Sequence, residues 1–163
     1  MRLIVIAVGR MKSGPERELF ERYRARAEAM GRSLGITGFD HVEIPESRAR
    51  READRMAEEG AAILAKAGPG PLILFDERGR SLTSEEFSAR VGAWRDEGRD
   101  AVTLAVGGAD GLDPGMRRRA DLLLSFGALT LPHQIVRGLV AEQLYRALTI
   151  LAGHPYHRAG LDT

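Results

Sequence analysis

Short apolar runs alternate along the chain with longer stretches in which apolar residues recur every three or four positions. That alternation predicts an α/β domain on a largely parallel sheet. The run over 3–8 predicts a buried strand. Behind it, Pro15 suits a first helical position, and Leu19, Phe20, Tyr23, Ala27 and Met30 repeat on one helical face. A second strand is expected over 39–44, stopped by Pro45. The charged stretch 48–59 leads into Met56, Ile63 and Leu64, which reads as a helix with a solvated charged face.

Gly68, Pro69 and Gly70 break that helix, and PLILFD follows as a strand covered on both faces, ending at Asp76. Thr83 with Glu86 forms a capping box for a helix whose inward positions are Phe87, Val91 and Trp94. The run 101–106 predicts another buried strand. It is followed by the glycine turn GGADG, a short helix opened by Asp113 and Pro114, and the apolar run LLLSF. A long helix over about 134–152 closes the pattern, with no internal repeat, linker or low-complexity segment.

A length of 163 residues suits one domain, and the absence of cysteine removes disulfides, thiolate metal sites and a cysteine nucleophile. Cysteine-free composition also fits an intracellular location, and the opening apolar run is too short for a secretory core or a membrane span. With 24 basic against 23 acidic side chains, any nucleic-acid contact must come from local patches. Lys12 and Lys66 are the only lysines, so the positive charge is almost entirely arginine.

Candidate chemistry gathers in the last third. Glycines just after a strand in VGGADG let backbone approach a ligand closely, but the segment has neither GxGxxG spacing nor the Lys and Ser/Thr of a P-loop. The uncharged stretch 126–131 reads either as a loop that presents backbone to an apolar ligand or as an edge strand ended by Pro132. His133, His154 and His157 fall close to Arg137, Arg146, Tyr145, Tyr156 and Arg158. That set suits phosphate contacts and base stacking, and its spacing fits no metal site. The final helix is apolar around most of its circumference, so we expect the sheet on one side and a second copy of the chain on the other, a homodimer. Glu142 and Arg146 are spaced for an i,i+4 helix pair worth about 0.2–0.5 kcal/mol.

These residues carry a family resemblance over nearly the whole length. AVG near the start, LFDERGRSLTSEEF, VGGADGL and RADLLLSFGALTLPHQIVRGLVAEQLYRA with its closing HPYHR resemble, in order and spacing, the SPOUT-class methyltransferases that modify N3 of a pseudouridine in large-subunit ribosomal RNA. The resemblance implies a single domain over 1–163 with a mostly parallel sheet and helices on both faces. A C-terminal trefoil knot within about 101–158 would hold S-adenosylmethionine. It further implies a cytoplasmic homodimer acting on the ribosome or its large-subunit RNA, with no metal and no membrane.

Transferred to this chain, the resemblance places the cofactor against Phe75, Gly107, Phe126, Gly127, Ala128, Leu129, Thr130 and Leu131. Phe75 stands where the family more often has leucine, and Gly127 where a small polar residue is common. His133 and Arg137 are the catalytic candidates beside the nucleophilic nitrogen. His154, Tyr156, His157 and Arg158 are assigned to substrate RNA. Two alternatives stay open at this point: another RNA target such as transfer RNA, and a non-catalytic ribosome-binding factor that keeps the fold.

Overall fold

All five apolar runs pair side by side in the computed structural model, which describes residues 1–158; positions 159–163 of the expected domain lie outside the described residues. Strands β1 (Arg2–Val8), β2 (Gly38–Ile44), β3 (Leu72–Arg80), β4 (Ala101–Val106) and β5 (Leu122–Leu124) form one sheet in the order β2-β1-β4-β3-β5. Every neighbouring pair is parallel. Parallel neighbours need crossovers, and the helices α1 (Pro15–Gly31), α2 (Glu52–Lys66), α3 (Ser84–Asp96), α4 (Pro114–Arg119) and α5 (His133–Leu151) complete the fold.

Each strand divides its side chains between two cores, as a period of two requires. Leu3, Val5, Ala7, Ile73, Phe75, Val102 and Leu104 pack with α1, α3 and α5 on one face. On the other, Ile6, Val8, Leu72, Leu74 and Ala105 pack with Ile63 of α2 and Met116 of α4. The sheet is therefore covered on both faces, which explains why its strands read as continuous apolar runs.

Local signals set several boundaries. Thr83 and Glu86 make the reciprocal capping box, and Pro15 opens α1. The Asp113 carboxylate accepts from the Gly115 and Met116 amides ahead of α4. Other expectations need correction. Leu19 is exposed rather than inward, because the neighbouring α5 backbone at Gly138 leaves it at the surface seam. Glu59 is buried within the charged stretch expected to be solvated, and its carboxylate accepts from the Ser47 amide.

Strand β3 does not stop at Asp76. It resumes beyond an irregularity between Phe75 and Arg80, both of which align with Leu124 of β5. Gly79 makes that crossing sterically possible, since a Cβ there would lie 2.5 Å from the Leu124 carbonyl carbon. Residues 126–131 form a loop and not an edge strand. Helix α5 is covered within its own chain by α1 and α3, with Val140, Leu144 and Leu148 fully buried. Its apolar circumference thus has an intramolecular explanation that the helix pattern did not anticipate.

Candidate functional site

Parallel strands leave their carboxyl ends free to build a ligand crevice, and here β3, β4 and β5 do so together. Their extensions surround a cavity of about 380 Å³, within the range of roughly 300–1,000 Å³ typical of small-molecule sites. The β3 irregularity supplies Phe75, Asp76, Glu77 and Arg78. The glycine turn after β4 supplies residues 107–111, and the segment after β5 supplies Ser125, Phe126, Gly127, Leu129, Thr130, Leu131 and His133.

Two walls of this cavity differ in chemistry. On the apolar side the Phe75 and Phe126 rings stack at 5.1 Å with an interplanar angle of 13°. Ser125 shapes the bend that follows: its hydroxyl donates to the Gly127 carbonyl and accepts from the Gly127 amide. Beyond it, the amides of Ala128, Leu129, Thr130 and Leu131 donate to no other group among the described residues. The charged wall is built differently. Arg117 Nε donates to Asp76 Oδ2 at 2.8 Å, and Arg55 grips Asp110 in a two-pronged fork. The Arg55 hydrogen bonds hold the Asp110 carboxyl below its ordinary range.

Gly107 owes its identity to the turn itself, because a Cβ there would come within 2.9 Å of the Gly111 carbonyl oxygen. A second cavity of about 230 Å³ lies on the α3 side, lined by Ser81, Thr83, Ser84, Phe87 and Gln143. It shares Phe75, Ser125, Phe126 and Gly127 with the first, so this segment partitions the two spaces.

Of the eight residues expected to hold a cofactor, Phe75, Gly107, Phe126, Gly127, Leu129, Thr130 and Leu131 line the larger cavity; Ala128 is exposed outside it. His133 lines it too, at the first position of α5. Arg137 does not. Fully buried, it donates from Nη2 to the Val8 and Gly9 carbonyls at 2.6 and 2.8 Å, and from Nη1 to Glu43 at 3.2 Å. Its catalytic assignment is therefore replaced by a structural one: it bolts α5 to the end of β1.

The four residues expected at RNA separate into two pairs. His154 and Arg158 are exposed. Tyr156 and His157 are half-buried and held by their own chain. The Tyr156 hydroxyl donates to Glu142 at 3.0 Å, its ring packs on Tyr145, and Arg146 lies 4.7 Å from its ring centroid. Burial raises the Tyr156 pKa, and hydrogen bonds to Tyr23 and Glu142 add to the shift. His157 Nε2 meets Glu85 at 2.7 Å and holds that carboxyl below its ordinary value. The Glu142–Arg146 pair forms as the spacing predicts, at 2.6 Å.

Asp76, Arg117, Asp110 and Arg55 were not among the expected site residues. Two of them were visible as charges set directly behind an apolar run in LFDER and inside a glycine turn in GGADG. Among the described residues no group of three or more metal-ligating side chains occurs, and no helix is long and apolar enough to cross a membrane.

The fold and this crevice define a class. A family profile described as "Predicted SPOUT methyltransferase" matches residues 1–157, and the chain belongs to that family. Among its relatives is a protein of Methylorubrum populi named Ribosomal RNA large subunit methyltransferase H, 61% identical over 97% of both chains. A protein of the same name from Rhodopseudomonas palustris is 61% identical over 98% of this chain and 100% of its own.

Proposed function

We propose that this chain methylates N3 of a pseudouridine in large-subunit ribosomal RNA, with S-adenosylmethionine as the donor. The observation that carries this reading is the crevice at the ends of β3, β4 and β5, which offers an aromatic stack, a glycine turn and unpaired loop amides in one space. The relatives' printed name supports ribosomal RNA as the substrate.

The residues present fit such a donor. An adenine finds apolar cover at Phe75 and Phe126, and the amides of 129–131 supply the hydrogen-bond donors that its ring nitrogens need. Asp76 and Arg117 supply a carboxylate and a guanidinium for the charged amino-acid end. When bound, the sulfonium supplies an electrophilic methyl group. The chain's own task is to orient the acceptor nitrogen and accept its proton. An imide N3–H is weakly acidic, and His133, on the cavity wall with no hydrogen-bond partner among the described residues, is placed to receive that proton on its imidazole.

His154 and Arg158 contact RNA, while Tyr156 and His157 shape the surface from which they project. The C-terminal knot of the family, spanning about 101–158, is the natural path for the 124–133 segment past β3. We infer a homodimer in the cytoplasm. Exposed Leu19 and Ile135 flank the α1–α5 seam and leave an apolar patch there for a second copy, which sedimentation at micromolar protein tests.

A labelled methyl donor offered with purified ribosomes, large subunits, a naked hairpin and transfer RNA decides the function. Label on one pseudouridine of assembled particles is expected, in keeping with relatives named for the large ribosomal subunit. Equal labelling of the naked hairpin would remove the ribosomal part, and label on transfer RNA would replace it.

A further inference from the structure

Helix α2 lies outside the cavity, yet one of its faces grips the glycine turn. Arg55 and Glu59 are four residues apart and so project from the same side. Arg55 Nε and Nη2 donate to the two carboxylate oxygens of Asp110 at 2.6 and 3.0 Å. Its remaining Nη1 donates to the carbonyls of Ala49 and Arg50 at 3.2 and 3.0 Å. Glu59 Oε1 accepts from the Ser47 amide, and its Oε2 sits where a Cβ on Gly108 would come within 3.2 Å. Arg55 therefore joins the loop 45–51 to the glycine turn, while Glu59, one turn further on, bonds the loop and leaves its Oε2 buried beside Gly108 without a hydrogen-bond partner.

We propose that Arg55 is a positioning residue of the methyl-donor site: through Asp110 it fixes the glycine turn, and through the Ala49 and Arg50 carbonyls it ties that turn to the loop bearing Arg48, Arg50 and Arg51. This rests on the reading of the crevice as the S-adenosylmethionine site. Arg55 does not line the cavity, so its effect on a ligand passes through Asp110, which does. A planar guanidinium suits the task because its fixed fork engages a carboxylate with two prongs and still leaves donors for two carbonyls; an ammonium has three donors and no such plane. Arg48, Arg50 and Arg51 are exposed, and arginines fixed on one side of the cofactor turn suit RNA phosphates.

A double-mutant cycle with R55A and D110A, and R55K as the conservative variant, tests this by calorimetric titration with S-adenosylmethionine. Circular dichroism of each variant confirms that the fold persists. R55A and D110A are each expected to raise Kd about tenfold, with the double variant no worse than either single one and R55K between R55A and wild type. In turnover assays the loss falls on KM for the donor rather than on kcat. KM for ribosomal substrate is expected to rise in R55A and not in D110A, because only Arg55 also holds the loop 45–51. Wild-type Kd in folded R55A, or additive losses in the double variant, overturns the positioning role. A substrate KM that moves equally in both single variants overturns the tie to the loop. No binding by the wild-type protein would overturn the donor-site reading itself, a result distinct from either.

Discussion

The glycine turn after β4 and the loop after β5 face the same cavity, but they are held in opposite ways. Asp110 in the first is clamped by Arg55, and Arg117 just beyond it is clamped by Asp76; the turn closes on itself where the Gly111 amide donates to the Gly108 carbonyl. The second has one internal brace, the Ser125 hydroxyl, and four amides that donate to nothing else among the described residues. A site built this way has one wall set before the ligand arrives and one wall whose hydrogen bonds the ligand completes.

His133 ends the open wall, and its replacement should have the largest effect. His133→Ala is expected to slow methyl transfer about 10²- to 10⁴-fold in single-turnover assays while leaving donor affinity within twofold. Equal loss of affinity and rate would make His133 a binding residue and blur the division between the walls. Next comes the clamped wall. Gly107→Val places a branched side chain against the Gly111 carbonyl, and Kd for the donor should rise about 100-fold with the fold intact, as titration and circular dichroism would show.

A smaller effect separates the walls directly. Saturating donor should slow amide hydrogen exchange at 129–131 about tenfold and change residues 108–111 far less, because only the open wall gains hydrogen bonds. Equal protection on both sides would erase the contrast.

The smallest effect belongs to a region remote from either wall. His41 on β2 packs against Phe20, and burial lowers its pKa below the ordinary 6.5. The folded state thus favours neutral imidazole, so its contribution to stability is whole above pH 6.5 and declines as pH falls toward the depressed value. Urea midpoints should drop by about half a molar or less across that interval, and the slope should flatten in His41→Gln.

Much of this architecture was legible because it rests on local rules. The runs at β1 and β4 announce strands covered on both faces, and Thr83 with Glu86, or Asp113 with Pro114, announce helix starts within a few residues. What escaped depends on long reach. Arg137 resembled a site residue by its place in the chain, yet its side chain spans to carbonyls at Val8 and Gly9, which no spacing rule connects to it. Tyr156 and His157 likewise sit in a tail whose docking onto Glu142 and Glu85 only the folded packing reveals. Strand β3 hid its continuation because DERGR has no apolar alternation; its pairing comes from β5, not from burial. The loop that forms the apolar wall of the cavity stood out because a stretch so poor in charge is unusual, whereas the charged wall looked like ordinary surface.

Arg137 has one more consequence, which concerns how the molecule is made. The carbonyls of Val8 and Gly9 leave the synthesising ribosome early, and the guanidinium that satisfies them follows 129 and 128 residues later. Contacts so distant in sequence slow folding, and the first strand therefore waits for the last helix before its terminus is sealed. Synthesis through α5 thus precedes any completed ligand crevice, and a nascent fragment released before α5 emerges would hold every strand of the sheet and none of the activity.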